Sequence, residues 1–263
     1  MNISVYVVDA FANKLFSGNP AAVCPLDSWI DDELMQNIAM ENNLSETVFF
    51  VKENDKYVIR WFTPGEEMDL CGHATLASAY VLFNLLNFQG DKIHFYSHRS
   101  GDLIVSKDGK TFIMDFPADI FEEIKHDPSF DKCFNTAPNK IFKGKTDLMF
   151  VFDNESQIKN MTPNFDEIKK LGGRGLIITA KGEQVDFVSR CFFPQTGIDE
   201  DPVTGSAHTT MIPYWSKVLN RNKLTAKQIS KRGGSLICEY KGDRVVIGGE
   251  AKLYMTGEIM IPS

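Results

Sequence analysis

Four short stretches of the chain carry side chains that could move a proton or hold an anion. Glu46 closes the polar run Asn42-Asn43-Leu44-Ser45 and opens the apolar run Thr47-Val48-Phe49-Phe50-Val51. A carboxylate entering so apolar a strand is expected to be partly desolvated, a setting that suits general acid/base work near neutrality. On position alone it is equally a surface acid at a strand entrance. Gly72-His73-Ala74-Thr75 and Gly205-Ser206-Ala207-His208 each lead small residues into an apolar helical run. The first turn of a helix leaves backbone N–H groups without intrahelical partners, and the helix dipole adds positive potential, so such a start suits a carboxylate. A glycine there lets a ligand approach the backbone closely. The plain reading is of two ordinary helix starts, with Ser206 as a cap. His73 stands where it could donate to a substrate oxygen or relay a proton. Asp199-Glu200-Asp201 places three like charges in a row, and Pro202 keeps Asp201 out of a helix. These acids are therefore expected in a loop before Thr204-Gly205-Ser206, as site residues or as a solvated acidic turn. Cys71 and His73 have no further His or Cys at ligand spacing, so no metal is expected. His94 and His98 read as surface residues and His208 as core.

The elements that must position these residues occur twice. Arg60-Trp61-Phe62-Thr63-Pro64 is echoed 130 residues later by Arg190-Cys191-Phe192-Phe193-Pro194. The match alone is compatible with chance; the order of the flanking elements argues for duplication. In the first half a helix over Asp31–Met40 and strands over Thr47–Val51 and Tyr57–Phe62 precede the proline. In the second half a helix over Asp166–Leu171 and strands over Gly175–Thr179 and Gln184–Phe193 do the same. Each proline is followed by a polar turn and then by a glycine-led apolar helix, Gly72 to Phe83 and Gly205 to Leu219. Leu76, Ala79, Tyr80, Phe83 and Leu86 follow helical spacing. A helix apolar nearly all round must be wrapped by other structure. The expected fold class is α+β, with two pseudo-symmetric lobes, each a curled mixed β-sheet around a central α-helix. The lobes are placed at 1-116 and 117-250.

The 263 residues suffice for two such lobes. With 43% hydrophobic and 24% charged residues the chain reads as globular. A net charge of −7, with no basic patch, argues against nucleic acid and for a small-molecule partner. Five scattered cysteines with no CxxC pair argue against a disulfide framework and fit a reducing cytoplasm. The N-terminal run lacks a basic, apolar leader. The apolar segment within Leu76–Phe88, broken by Asn84 and Asn87, is too short to span a bilayer, so no membrane association is expected.

Gly18-Asn19-Pro20, Asn43-Leu44-Ser45-Glu46-Thr47, Cys71-Gly72-His73-Ala74-Thr75 and Glu200-Asp201-Pro202-Val203-Thr204-Gly205-Ser206-Ala207 resemble, in order, the signature blocks of the PhzF-like family of phenazine biosynthesis isomerases; Asp9-Ala10-Phe11 fits as well. The stretch from about Asp119 to Ile168 carries no such block. The resemblance implies a diaminopimelate epimerase-like fold, with residues 251-263 returning to the first lobe and the active site between lobes. It implies a cofactor-independent isomerase, usually a homodimer. Carried over by position, it makes Glu46 the general acid/base, with Asp201 and His73 handling protons. Gly72, His73, Gly205, Ser206 and Asn19 would bind a small carboxylate substrate. Cys71 stands where related amino-acid epimerases keep one of two catalytic cysteines, whereas Thr204 occupies the matching second position. Racemisation by paired thiols is therefore disfavoured. A racemase using Cys71 with another partner, and a carboxylate-binding protein without turnover, are the competing expectations.

Overall fold

The computed structural model describes residues 1–261, so residues 262 and 263 of the expected terminal stretch lie outside the described residues. In chain order the elements are β1 (Asn2–Ala10), β2 (Asn19–Leu26), α1 (Asp32–Asn42), β3 (Glu46–Glu53), β4 (Lys56–Phe62), β5 (Glu67–Met68), α2 (Gly72–Asn84), β6 (Lys92–Ser97), β7 (Gly101–Asp108) and β8 (Thr111–Pro117). They continue with β9 (Glu122–Glu123), β10 (Lys140–Lys143), β11 (Asp147–Val151), α3 (Glu155–Asn160), α4 (Phe165–Lys170), β12 (Gly175–Lys181), β13 (Phe187–Phe193), β14 (Ile198–Asp201) and α5 (Gly205–Leu219). The last strands are β15 (Lys223–Gln228), β16 (Gly234–Tyr240), β17 (Arg244–Gly249) and β18 (Ala251–Met260). The chain divides into two compact units, Met1–Asp115 with the chain from Gly248 on, and Phe116–Ile247.

In the first unit β18 runs antiparallel to β1, from Asn2 opposite Met260 to Ala10 opposite Ala251. The ladder continues β1 antiparallel to β2, β2 parallel to β3, β3 antiparallel to β4 and β4 parallel to β6. β6, β7 and β8 follow antiparallel, and the short β5 pairs with the end of β4. Strands β1, β2, β3, β7 and β18 all pack on α2, so the sheet curls around that helix. Leu76, Ala77, Ala79 and Val81 are fully buried there. The hydroxyls that α2 carries inward are satisfied locally: Thr75 Oγ1 donates to Cys71 O at 2.6 Å and Ser78 Oγ to Ala74 O at 2.8 Å. The other sheet face presents Ala22, Cys24, Phe49 and Phe62 to Met35, Ile38 and Ala39 of α1. α2 ends at Asn84, so Leu86 lies beyond it.

The second unit repeats the same pairing sequence. β10 is antiparallel to β11, β11 parallel to β12, β12 antiparallel to β13, β13 parallel to β15 and β15 antiparallel to β16, with β14 pairing beside β13. Helix α5 takes the part of α2, and Trp215 reaches from it to donate to Thr179 Oγ1 at 2.9 Å. Ile158 of α3 and Ile168 of α4 pack with Phe150, Phe192 and Leu176. Pro213 lies inside α5 and has no N–H to give Thr209 O, four residues earlier. The amide of Asp119 takes that carbonyl at 3.1 Å, and the Asp119 carboxylate accepts from Thr210 Oγ1 at 2.8 Å. The strand expected from Gln184 begins at Phe187 instead. Gly182 N–H donates to Asp186 O at 3.2 Å and closes a turn over the intervening residues.

Candidate active site

Three segments of the first unit deliver the expected residues to one place. Asn43 ends α1 in a left-handed conformation at φ 46°, which asparagine tolerates better than most residues, and the chain turns directly into β3. Asn42 Nδ2 donates to Thr47 Oγ1 at 3.1 Å across that turn. Glu46 is therefore the first residue of β3, paired with Ala21 of β2, and it is buried. Asn19 opens β2 opposite Ala10. It follows Gly18 at φ +74°, where a Cβ would lie 2.2 Å from Ala10 O, so only glycine fits. Upstream, Asp9 Oδ2 accepts from Phe16 N–H at 3.1 Å and holds the intervening loop.

Upstream of Cys71-Gly72-His73, Arg60 and Glu67 form an ion pair. Arg60 Nε donates to Oε1 at 2.7 Å and Nη2 to Oε2 at 2.9 Å, a bidentate clamp. Arg99 binds Glu67 Oε2 as well, at 2.8 Å. Cys71 is the N-cap of α2, yet no side chain caps the helix. Among the described residues, the Cys71 side chain therefore gives no cap to the first-turn amides.

His73 lies at the centre of the group. Its Nε2 is 2.9 Å from Glu46 Oε2. The approach is off the hydrogen-bond line, so neither of these buried atoms has an aligned partner. On the ring's other edge, Nδ1 lies 3.3 Å from Asn19 Nδ2 and 3.4 Å from Cys71 Sγ. Burial by itself would push the His73 imidazole down. The negative charge that Cys71 and Glu46 can carry, and the Cys71 contact at Nδ1, outweigh it and hold the ring well above the usual histidine range. Burial, and then the Glu46 charge, push the Cys71 thiol up to about 11, with His73 and the Ala74 amide pulling the other way. At neutral pH Cys71 is therefore a thiol.

Glu46, Cys71 and His73 offer donor atoms within 4.8 Å of one another, a grouping that the spacing of Cys71 and His73 alone did not reveal.

In the second unit Asp201, Gly205 and Ser206 are likewise brought together. The acidic run is not a loop: Ile198–Asp201 is strand β14, with Asp201 opposite Cys191. The expectation failed because Pro202 restricts only the residue before it to an extended backbone, and a strand meets that restriction as well as a loop does. Alternation then separates the acids. Glu200 is clamped by Arg190, Nε to Oε1 at 2.7 Å and Nη2 to Oε2 at 2.9 Å. Asp201 is buried, and Thr204 Oγ1 donates to its Oδ2. Thr204, not Ser206, is the N-cap of α5, and its side chain does not cap the helix. Gln228 locks the corner, accepting from Thr204 N–H at 2.9 Å and donating to Asp201 O at 2.8 Å. Gly205 is buried and Ser206 exposed. His208, expected in the core, is fully buried and donates from Nδ1 to Thr204 O at 2.8 Å.

The Asn19 and Cys71 contacts to His73, the Gln228 lock and the twin clamps were not anticipated. Only the clamps left a trace, the arginines that open both copies of the repeated pentapeptide.

Comparison with known proteins agrees with this architecture. Residues 8–257 match the family model described as phenazine biosynthesis-like protein. An uncharacterized isomerase of Pseudomonas aeruginosa is 46% identical over 261 residues, covering 99% of this chain and 100% of the relative. The crystal structure of a PhzF-family phenazine biosynthesis protein from Enterococcus faecalis superposes with a TM-score of 0.97 at 50% identity, over 99% of this chain and all of that one. A predicted epimerase from Pseudomonas aeruginosa, 19% identical, shares the fold at a TM-score of 0.74 over 99% of this chain and all of its own. Fold and relatives define the class, an isomerase on the α+β, diaminopimelate epimerase-like scaffold. Within that class, the chain belongs to the phenazine biosynthesis-like protein family. Among the described residues no helix is long and apolar enough to cross a membrane.

Proposed function

We propose that the protein is a cofactor-independent isomerase that moves a proton on a small carboxylate-bearing substrate, with Glu46 as the general acid/base. Glu46 takes a proton from a substrate carbon and returns it to that carbon or to another on the same face. His73 stabilises the charge that develops, and the Gly72 and His73 amides hold the carboxylate with Asn19 beside them. The proposal extends to the second unit, where Asp201 handles a proton and the start of α5 at Gly205 and Ser206 binds a carboxylate. One observation carries the reading: two buried reactive atoms, Glu46 Oε2 and His73 Nε2, face each other at 2.9 Å without an aligned hydrogen bond, beside an uncapped helix start.

The test is solvent deuterium exchange into a panel of small carboxylates, followed by proton NMR. The intact protein is expected to catalyse exchange into at least one of them. Glu46→Gln, which keeps the shape and removes the base, is expected to lose about 100-fold or more of that rate. Comparable exchange by the variant would overturn the assignment, and absence of exchange by the parent across the panel would favour a binding protein without turnover. A Cys71-based racemase is less well supported. The thiol is buried and held up at about 11, and the corresponding N-cap of the second unit is Thr204.

The proposal includes a homodimer and a cytoplasmic location. Exposed Phe16, Tyr254 and Met255 of the first unit give a partner copy something apolar to cover, and sedimentation of the intact protein decides it. All five cysteines are unpaired and buried, as a reducing compartment would leave them.

A further inference from the structure

We infer that Cys71 is a positioning residue for the His73–Glu46 pair: its sulfur holds one edge of the imidazole and so fixes how the other edge is presented to the carboxylate. Cys71 Sγ is 3.4 Å from His73 Nδ1, and Nε2 on the far edge is 2.9 Å from Glu46 Oε2. Whatever one ring nitrogen bonds decides what the other can do. The titratable groups facing His73 are Glu46 from β3 and Cys71 from the N-cap of its own helix; β2 adds the uncharged Asn19.

The position itself argues for the role. An N-cap favours Ser, Thr, Asp or Asn, whose oxygens bond the first-turn amides, and cysteine is a poor substitute. No side chain caps α2, and the Cys71 sulfur is turned to His73. The second unit makes the same choice with a better capping residue. Thr204 leaves α5 uncapped and turns its hydroxyl to Asp201. In both units the residue before the glycine serves a titratable neighbour rather than its helix.

The role of the pair in proton transfer rests on the isomerase reading; the grip of Cys71 on the ring does not, and it is tested without substrate. The full chain, labelled with 15N-histidine, is titrated by NMR as wild type, Cys71→Val and Cys71→Thr. Valine and threonine have nearly the same shape, but only threonine retains a polar atom. Cys71→Val is expected to lower the His73 midpoint by about one pH unit or more and to mix its tautomers, while Cys71→Thr stays within about half a unit of the parent. Cys71→Ala reads the same quantity should the valine variant not fold. A His73 titration in Cys71→Val or Cys71→Ala that superimposes on the parent's overturns the inference. That result would leave the Glu46→Gln exchange test untouched.

Discussion

At the scale of single residues, two buried histidines in the same kind of helix are driven in opposite directions. His73 is raised by the charge that Cys71 and Glu46 can carry, whereas His208 bonds the Thr204 carbonyl, and burial pushes it down to about 4. The sign for His208 follows from linkage. Its folded value lies below the ordinary 6.5, so an unfolded chain binds the proton more readily. The stability it supports is complete above about pH 6.5 and is lost as pH falls towards 4. The interval corresponds to roughly 3 kcal/mol. Urea unfolding at pH 7 and pH 4.5 is expected to show this fall in the parent and a clearly smaller one in His208→Gln; equal falls would refute the assignment. His208 was legible as core because it sits one turn into an apolar helix. The partners of His73 were not, since Asn19 and Cys71 are 54 and 2 positions away and no periodicity links them. Asp201 was legible as a candidate, but its strand was not, because a proline after an acid reads alike for a loop and an extended edge.

At the scale of elements, the glycine-led helices were the clearest feature, and their starts lie at Gly72 and Gly205 as spacing suggested. Apolar residues on every side demand a wrapping sheet, and α2 has one. Leu76→Ala, at a fully buried position of α2, is therefore expected to cost about 2–5 kcal/mol. Denaturant melting checks this, and a loss below 1 kcal/mol would mean that the helix is less tightly enclosed than described. The segment from Asp119 to Ile168 was opaque for a physical reason. It contains strands of four and five residues and helices of six, too short for a period to accumulate. The Pro213–Asp119 connection was equally invisible, since it pairs a missing N–H with an amide far away in the chain.

At the scale of the molecule, the pairing sequence from β1 to β7 in one unit recurs from β10 to β16 in the other, and the pentapeptide repeat marked that correspondence correctly. Arg60 and Arg190 make the same bidentate clamp at nearly the same distances and lie over Phe62 and Phe192 at 5.2 and 5.1 Å. The units differ at the proposed acid. Glu46 pairs with Ala21 at the mouth of the parallel ladder β2–β3, and the same station in β11–β12 is Gly175 opposite Asp147. A Cβ at Gly175 would lie 2.1 Å from the Phe193 ring, so even the first atom of a side chain is refused there. At this station one unit thus carries a buried carboxylate and the other a glycine packed against Phe193. Saturation mutagenesis should reveal that division of labour as an uneven map. Tolerance at Arg60 should mirror Arg190, and Gly72 should mirror Gly205. Position 46 should select by chemistry, accepting only a group that can carry a proton, and position 175 by size alone.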